Sequence, residues 1–245
     1  MRNQRLTITE AARLLGVSAQ TLRRWDESGE LHGQRIQEGG FRYYQIGDLE
    51  RIVEERQLDF EKLAKSWMMS DGTWTPLDAF YCATSDVFQS RLKRLESALE
   101  HLAGVEKLYT LITSSVGEIG NNSFDHNLGS WPDTPGVFFG FDPKRRKVVL
   151  VDRGQGILKT ISRARPSLNT HTEALSVAFT EVLTGRAPEH RGNGLKYVRK
   201  IITSNPFSLT FHTGDARLEM IQGDQQLLIQ QTRNLIPGCF VSISF

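Results

Sequence analysis

Apolar positions fall into three regimes along the chain. In residues 1–58 they form short clusters at helical spacing, separated by glycine and polar turn residues. Ala11, Ala12, Leu14 and Leu15 predict a short helix with Thr9 as its candidate cap. Leu22 and Trp25 predict the inner face of a second helix, opened by Ser18. Gly16 permits the tight turn between them, and Gly29 ends the second helix. Glu38-Gly39-Gly40-Phe41 predicts a hairpin turn, with Arg42-Tyr43-Tyr44 on its returning strand and a third helix starting at Ile46.

Residues 59–106 read as a helical connector. EERQLDFEKLAKSW leads into it, SDGTWTP breaks the helix, and a second helix follows with Ser85 as its candidate cap. Phe88, Leu92, Leu95, Leu99 and Leu102 recur there at heptad-like spacing, which suits either a dimerising helix or a strap across the next domain. From 107 to 245 the order is helix (Leu108 to Asn127), two short strands (GVFFGFD, KVVLVD), two helices (TEALSVAFTEVL, LKYVRKIIT) and a run of strands. The fold class expected is α+β: a winged helix-turn-helix, a connector, and an α/β sandwich whose mixed sheet carries helices on one face.

One helix breaks its own pattern. In EIGNNSFDHN, residues 118–127, Glu118, Asn122 and Asp125 stand at i, i+4 and i+7, on one helical face where a buried helix should be apolar. Two more polar clusters follow. VVLVDRGQGI delivers Asp152 from a strand into a loop with Gly154 and Gly156, and TGRAPEHRGNGLKYV opens a helix at Gly192-Asn193-Gly194-Leu195. Glycines let backbone N–H groups approach a ligand closely. A helix that starts on them offers unpaired N–H groups and a positive dipole end to a phosphate. Asp152 is an acceptor suited to an amino N–H. Asn122 can complete the shell of a phosphate-bound Mg²⁺, and Glu118 can polarise an attacking water.

Charge narrows the partners. The 245 residues hold 30 basic and 28 acidic side chains, a net charge of +2, so no global electrostatic footprint marks a nucleic-acid binder. Residues 1–43 carry seven arginines against five acids, and any case for DNA rests on a local motif. Cys82 and Cys239 make no CxxC and no disulfide framework, consistent with a reducing compartment. MRNQRLTITEAARLL lacks an apolar leader core, and VFFGF and VVLV are strand-sized, so the expected location is cytoplasmic, with no membrane partner.

TEAARLLGVSAQTLRRW and the GGFRYY wing resemble the winged helix-turn-helix of the mercury-resistance-regulator (MerR) family and its excisionase relatives. The resemblance covers about a fifth of the chain. It implies double-stranded DNA as partner, with Gln20, Thr21, Arg23 and Arg24 on the recognition helix and Arg42 and Tyr43 on the wing as contacts. Domains of this kind commonly act as dimers on two-fold sites.

The three C-terminal clusters, in their order, resemble the superfamily of gyrases, heat-shock-90 chaperones, histidine kinases and mismatch-repair ATPases (GHKL, the Bergerat fold). Glu118 and Asn122 match its ExxxN helix, and Asp125 and His126 match positions that are often charged or histidine. Asp152, Gly154 and Gly156 match DxGxG, with the aspartate as adenine reader. Gly192, Gly194 and Leu195 match GxGL. Gly185 to Arg191 would form a short lid that puts Arg186, Arg191 and Asn193 near the phosphates. ATP and Mg²⁺ are the implied ligands, with Asn122 on the metal and Glu118 as base. The family often has Gly-Thr before its last strand, where this chain has Gly238-Cys239.

Together these imply a DNA-binding regulator coupled to ATP binding and hydrolysis. The same residues serve two alternatives, an anti-sigma-like serine/threonine kinase acting on a partner protein and a non-hydrolysing ATP-gated module. A histidine kinase fits poorly, since His101 is followed by Leu102 rather than an acid.

Overall fold

The computed structural model describes residues 5–35, 40–55, 59–71, 75–181 and 193–245. It divides into two compact units, residues 1–80 and 81–245.

The first unit opens with strand β1 (Arg5–Thr7) and helix α1 (Ile8–Leu14). Thr7, rather than the expected Thr9, caps α1. Its hydroxyl accepts from Glu10 N, and the Glu10 carboxylate reaches back to Thr7 N at 2.7 Å. Gly16 turns the chain at φ 61°, and Ser18 caps α2 (Ala19–Glu27) by accepting from Thr21 N at 3.0 Å. Strands β2 (Gln34–Arg35) and β3 (Arg42–Gln45) follow, then α3 (Ile46–Glu55) and α4 (Phe60–Met68), the last capped by Asp59. The three strands form an antiparallel sheet in the order β1-β3-β2. The core gathers Ala11, Leu15, Leu22, Trp25, Leu31, Tyr44, Leu49 and Ile52. The expected hairpin turn at 38–41 begins outside the described residues.

The second unit runs β4 (Tyr81–Cys82), α5 (Ser85–Glu100), α6 (Tyr109–Asn127), β5 (Val137–Asp142), β6 (Lys147–Asp152), α7 (Gly156–Ile161), α8 (His171–Thr180), α9 (Gly194–Ser204), β7 (Ser208–Ile221) and β8 (Leu228–Ser244). Its sheet order is β4-β5-β6-β8-β7. The α+β class holds. Every described pairing in the sheet is antiparallel, where a mixed sheet was expected, because periodicity carries no strand direction. The four expected C-terminal strand segments merge into the single long hairpin of β7 and β8, with register shifts around Gly214.

Thr84, not Ser85, caps α5. The heptad-like stripe is used inside this unit: Phe88, Leu95 and Leu99 are fully buried in its core with Ile112, Val116 and Ile119 of α6. Phe88 sits where Gly120 of α6 has no side chain, and a Cβ there would lie 2.0 Å from the ring. The stripe therefore acts as a strap. Among the described residues, no helix is long and apolar enough to cross a membrane.

Candidate functional site

In the first unit, Leu22 and Trp25 turn one face of α2 into the core and leave Gln20, Arg23 and Arg24 exposed on the other. Thr21 is half-buried, its hydroxyl 2.9 Å from that of Ser18. Arg42 does not project freely: its Nε lies 3.1 Å from Asp26 Oδ2, which ties β3 to α2, and Asp26 Oδ1 accepts from Gly33 N at 2.9 Å. Tyr43 is half-buried on β3, while neighbouring Phe41 is 82% exposed.

In the second unit, α6 gathers the sequence clusters. A Cβ placed on Gly194, the first residue of α9, would lie 2.4 Å from Glu118 Oε2 and 3.5 Å from Asn122 Nδ2. The glycine thus lets the start of α9 close directly onto the carboxylate and carboxamide of α6. Asn193 precedes α9, and its side chain makes no cap hydrogen bond to the first turn. Leu195 anchors the helix in the core. Arg186, Arg191, Gly192 and the lid at 185–191 lie outside the described residues.

One residue beyond Asn122, Ser123 donates to Asp152 Oδ2 at 2.8 Å. Asp152 ends β6, is 3% exposed, and also accepts from Gly154 N at 2.8 Å through Oδ1. Burial pushes its carboxyl up to about 6, against the opposing pull of bonds from Ser123, Gly154 and the Cys239 backbone. Gly238 passes so close that a Cβ would collide with the Asp152 backbone and side chain.

The loop after Asp152 is fixed by residues that no sequence motif marked. Asn127, 4% exposed, accepts from Gln155 N at 2.7 Å and donates to Ser123 O at 2.8 Å, and its side chain fills the space a Cβ on Gly154 would need. Arg153, 5% exposed, grips Asp133 through Nε and Nη2. On the far side, the fully buried Thr213 hydroxyl accepts from Ile157 N at 3.1 Å and donates to Gly238 O at 2.9 Å, with Cys239 Sγ 3.7 Å away. A threonine hydroxyl therefore stands beside Cys239 after all, delivered by β7, which pairs Thr213 with Cys239. Burial raises both thiols, Cys82 to about 11 and Cys239 well above its usual value.

The polar stripe of α6 also differs from the expected one. Glu118, Asn122, Ser123 and Asn127 face neighbouring elements, while Asp125 and His126 are exposed near the helix end, and His126 contributes its backbone carbonyl to Gln155 Nε2 at 3.2 Å. Ser123 and Asn127 were findable, since they stand at i and i+4 within the same ten residues. Thr213 and Asp133 had no local signal. Two cavities adjoin the site. One of about 180 Å³ lies behind the Asp152 loop, and a groove of about 320 Å³ between α5 and α6 is lined by Leu92, Glu96, Ser114 and Glu118 among others.

Residues 7–44 match the family described as MerR family regulatory protein, so the first unit carries a helix-turn-helix of that type. The chain is 32% identical over 222 residues to the Type II methyltransferase M.Eco47II of Escherichia coli, a match that takes in 85% of this chain and 51% of that protein. The chain thus spans about half the length of the curated relative it matches. Among solved structures it is similar to the 43K ATPase domain of Thermus thermophilus gyrase B in complex with an aminocoumarin, at 15% identity, over 60% of this chain and 39% of that one, with a TM-score of 0.34.

Proposed function

We propose that the chain is a DNA-binding regulator whose second unit binds ATP, and that the nucleotide sits between α6, the Asp152 loop and the start of α9. One observation carries the reading. Glu118 and Asn122 meet Gly194, while the next residue on the same helix, Ser123, holds Asp152. Three clusters far apart in the sequence converge on one helix.

Each group has a role that its chemistry permits. The first-turn N–H groups of α9 and the positive end of its dipole suit phosphate oxygens. Asp152 has one lone-pair position left after its three donors, enough for one N–H of an adenine amino group. Mg²⁺ takes few protein ligands and leaves the rest of its shell to water and phosphate. A site with Asn122 as its protein oxygen fits that habit, although no cluster of three or more His, Cys, Asp or Glu stands among the described residues to form a cage. A bound Mg²⁺ would neutralise phosphate charge. Glu118, beside the helix start that would hold the phosphates, is the base for an attacking water. On the first unit, Gln20, Arg23 and Arg24 meet DNA, with Thr21 and Tyr43 at the edges of that surface. Arg42 serves chiefly to set the wing against α2.

The groove beside Glu118 favours a second reading, phosphoryl transfer to a hydroxyl of a partner protein, because it gives the carboxylate a side open to a larger acceptor.

The test is calorimetric titration of ATP with and without Mg²⁺, on wild type and Asn122→Ala. ATP should bind, Mg²⁺ should tighten it, and the substitution should remove most of the Mg²⁺-dependent part. Absence of ATP binding would sink the reading, and indifference to Mg²⁺ would remove Asn122 from the metal.

A further inference from the structure

Strand β7 is the outermost strand of the five-stranded sheet and, among the described residues, pairs with β8 on one side only. It is 14 residues long, so alternate residues turn a row of N–H and C=O groups away from the sheet, the arrangement that accepts another strand. The opposite edge, β4, has only two residues. The apolar stripe of α5 offers no competing surface, since Phe88, Leu95 and Leu99 are spent in the core.

The register shifts around Gly214 divide β7. Past them the ladder is regular, from Ala216 opposite Gln231 to Glu219 opposite Leu228. Side chains alternate between the faces. Ala216, Leu218 and Met220 are buried in the core, while Arg217, Glu219 and Ile221 are exposed on the other face. There Arg217 Nη2 lies 2.5 Å from Glu219 Oε1.

This stretch is complementary to itself. Laid antiparallel on a second copy about a two-fold axis at Leu218, it sets Arg217 opposite the partner's Glu219 and Glu219 opposite the partner's Arg217. Ala216 meets the partner's Met220, small against large, and Leu218 meets its own copy, so the buried row continues across the axis. The charges choose this register. A slip of two residues one way sets arginine against arginine, and the other way glutamate against glutamate. A slip of one sets outward backbone groups against groups already turned to β8. Charges on an edge also serve to keep other strands off. An edge built only for that gains nothing from large apolar neighbours, yet Ile221 and Leu228, beside the charged pair, are 58% and 64% exposed.

We propose that residues 216–220 of β7 are the interface of a homodimer, in which two copies of the strand pair antiparallel and join two sheets into one. The contact is short, so the dimer is a reversible one with a dissociation constant in the micromolar range. It does not rest on the ATP reading.

The experiment is analytical ultracentrifugation of the full chain over a concentration series, for wild type, Arg217→Glu, Glu219→Arg and the double swap. All these side chains are exposed, and thermal unfolding checks that each variant is folded. Wild type should dimerise. Each single substitution turns two attractive pairs into two repulsive ones and should weaken the dimer on the order of tenfold or more. The double swap should restore it. An equimolar mixture of the two single variants should form mixed dimers, because an acidic strand then faces a basic one. A wild type that stays monomeric at every concentration overturns the proposal, and so does a dimer that ignores the single substitutions or is not recovered by the swap.

Discussion

Helices α2 and α6 carry polar residues in opposite ways. On α2 the division is clean: Leu22 and Trp25 go in, and Gln20, Arg23 and Arg24 stay in water. On α6 the polar residues are drawn into the structure. Asn127 is buried, Ser123 is bonded to a buried aspartate, and Glu118 and Asn122 lie under the start of another helix. A buried polar group needs a partner supplied by its surroundings, whereas an exposed one can wait for a partner from outside. The α2 face suits a large, charged, external surface such as a duplex. The α6 face suits a small molecule that replaces protein contacts one for one.

Truncation should expose the difference most strongly. Phe88→Ala empties the notch over Gly120 and should cost about 3–5 kcal/mol in chemical denaturation of the second unit. Arg24→Ala on the exposed face of α2 should stay within about 0.5 kcal/mol. Equal losses would erase the contrast.

Protonation comes next. Burial raises the folded Asp152 to about 6 from an ordinary value of 3.8, so the folded protein binds the extra proton between those pH values. The associated stability is fully present below about pH 4 and is lost as pH rises through about 6, at most about 3 kcal/mol. Subtracting the stability–pH curve of Asp152→Asn from that of wild type should reveal this fall. Carboxyls with lowered values, such as Glu10 and Glu173, slope the other way at lower pH and cancel in the subtraction. A flat difference would mean that Asp152 is better solvated than its 3% exposure implies.

Glu118→Gln keeps the shape of the α6 face and removes its base. ATP binding should survive while phosphate release falls about a hundredfold. Equal rates in the two proteins would leave a binding module or a kinase lacking its acceptor. Smallest of all, Arg23→Ala and Arg24→Ala should each weaken binding to a duplex selected from genomic fragments. Where the arginine pairs with a phosphate, its removal should also flatten the salt dependence of log K by about one unit of slope. Retention of no duplex by wild type would make the α2 face a protein dock.

The two regions were also unequally legible. The turn at Gly16 and the inward Leu22 and Trp25 follow from local spacing, and they stand where spacing puts them. On α6 the anomaly itself was readable, and so was its link to the Asp152 and Gly194 clusters. Which polar residues turn inward was not. Asp125 fits the i+7 position as well as Ser123 and Asn127 fit theirs, and only the packed neighbours decide among them. Thr213 reaches the site through the pairing of β7 with β8, and Asp133 through a loop closing on Arg153. Sheet register and loop closure are long-range, and the periodicity of one segment does not encode them. The caps at Thr7 and Thr84 differ from the expected Thr9 and Ser85 because neighbouring hydroxyls compete for the same role, and the backbone conformation of the folded chain selects one.

The ring of Phe88 in the space left by Gly120 works as a key in a slot. Sliding α5 along α6 would lift the ring out and forfeit the dispersion energy of a whole side chain, and tilting about that point would draw the fully buried Leu95 and Leu99 out of the core. The strap is therefore pinned at one end by a slot and along its length by a row of rivets, which fixes both its register and its angle over α6.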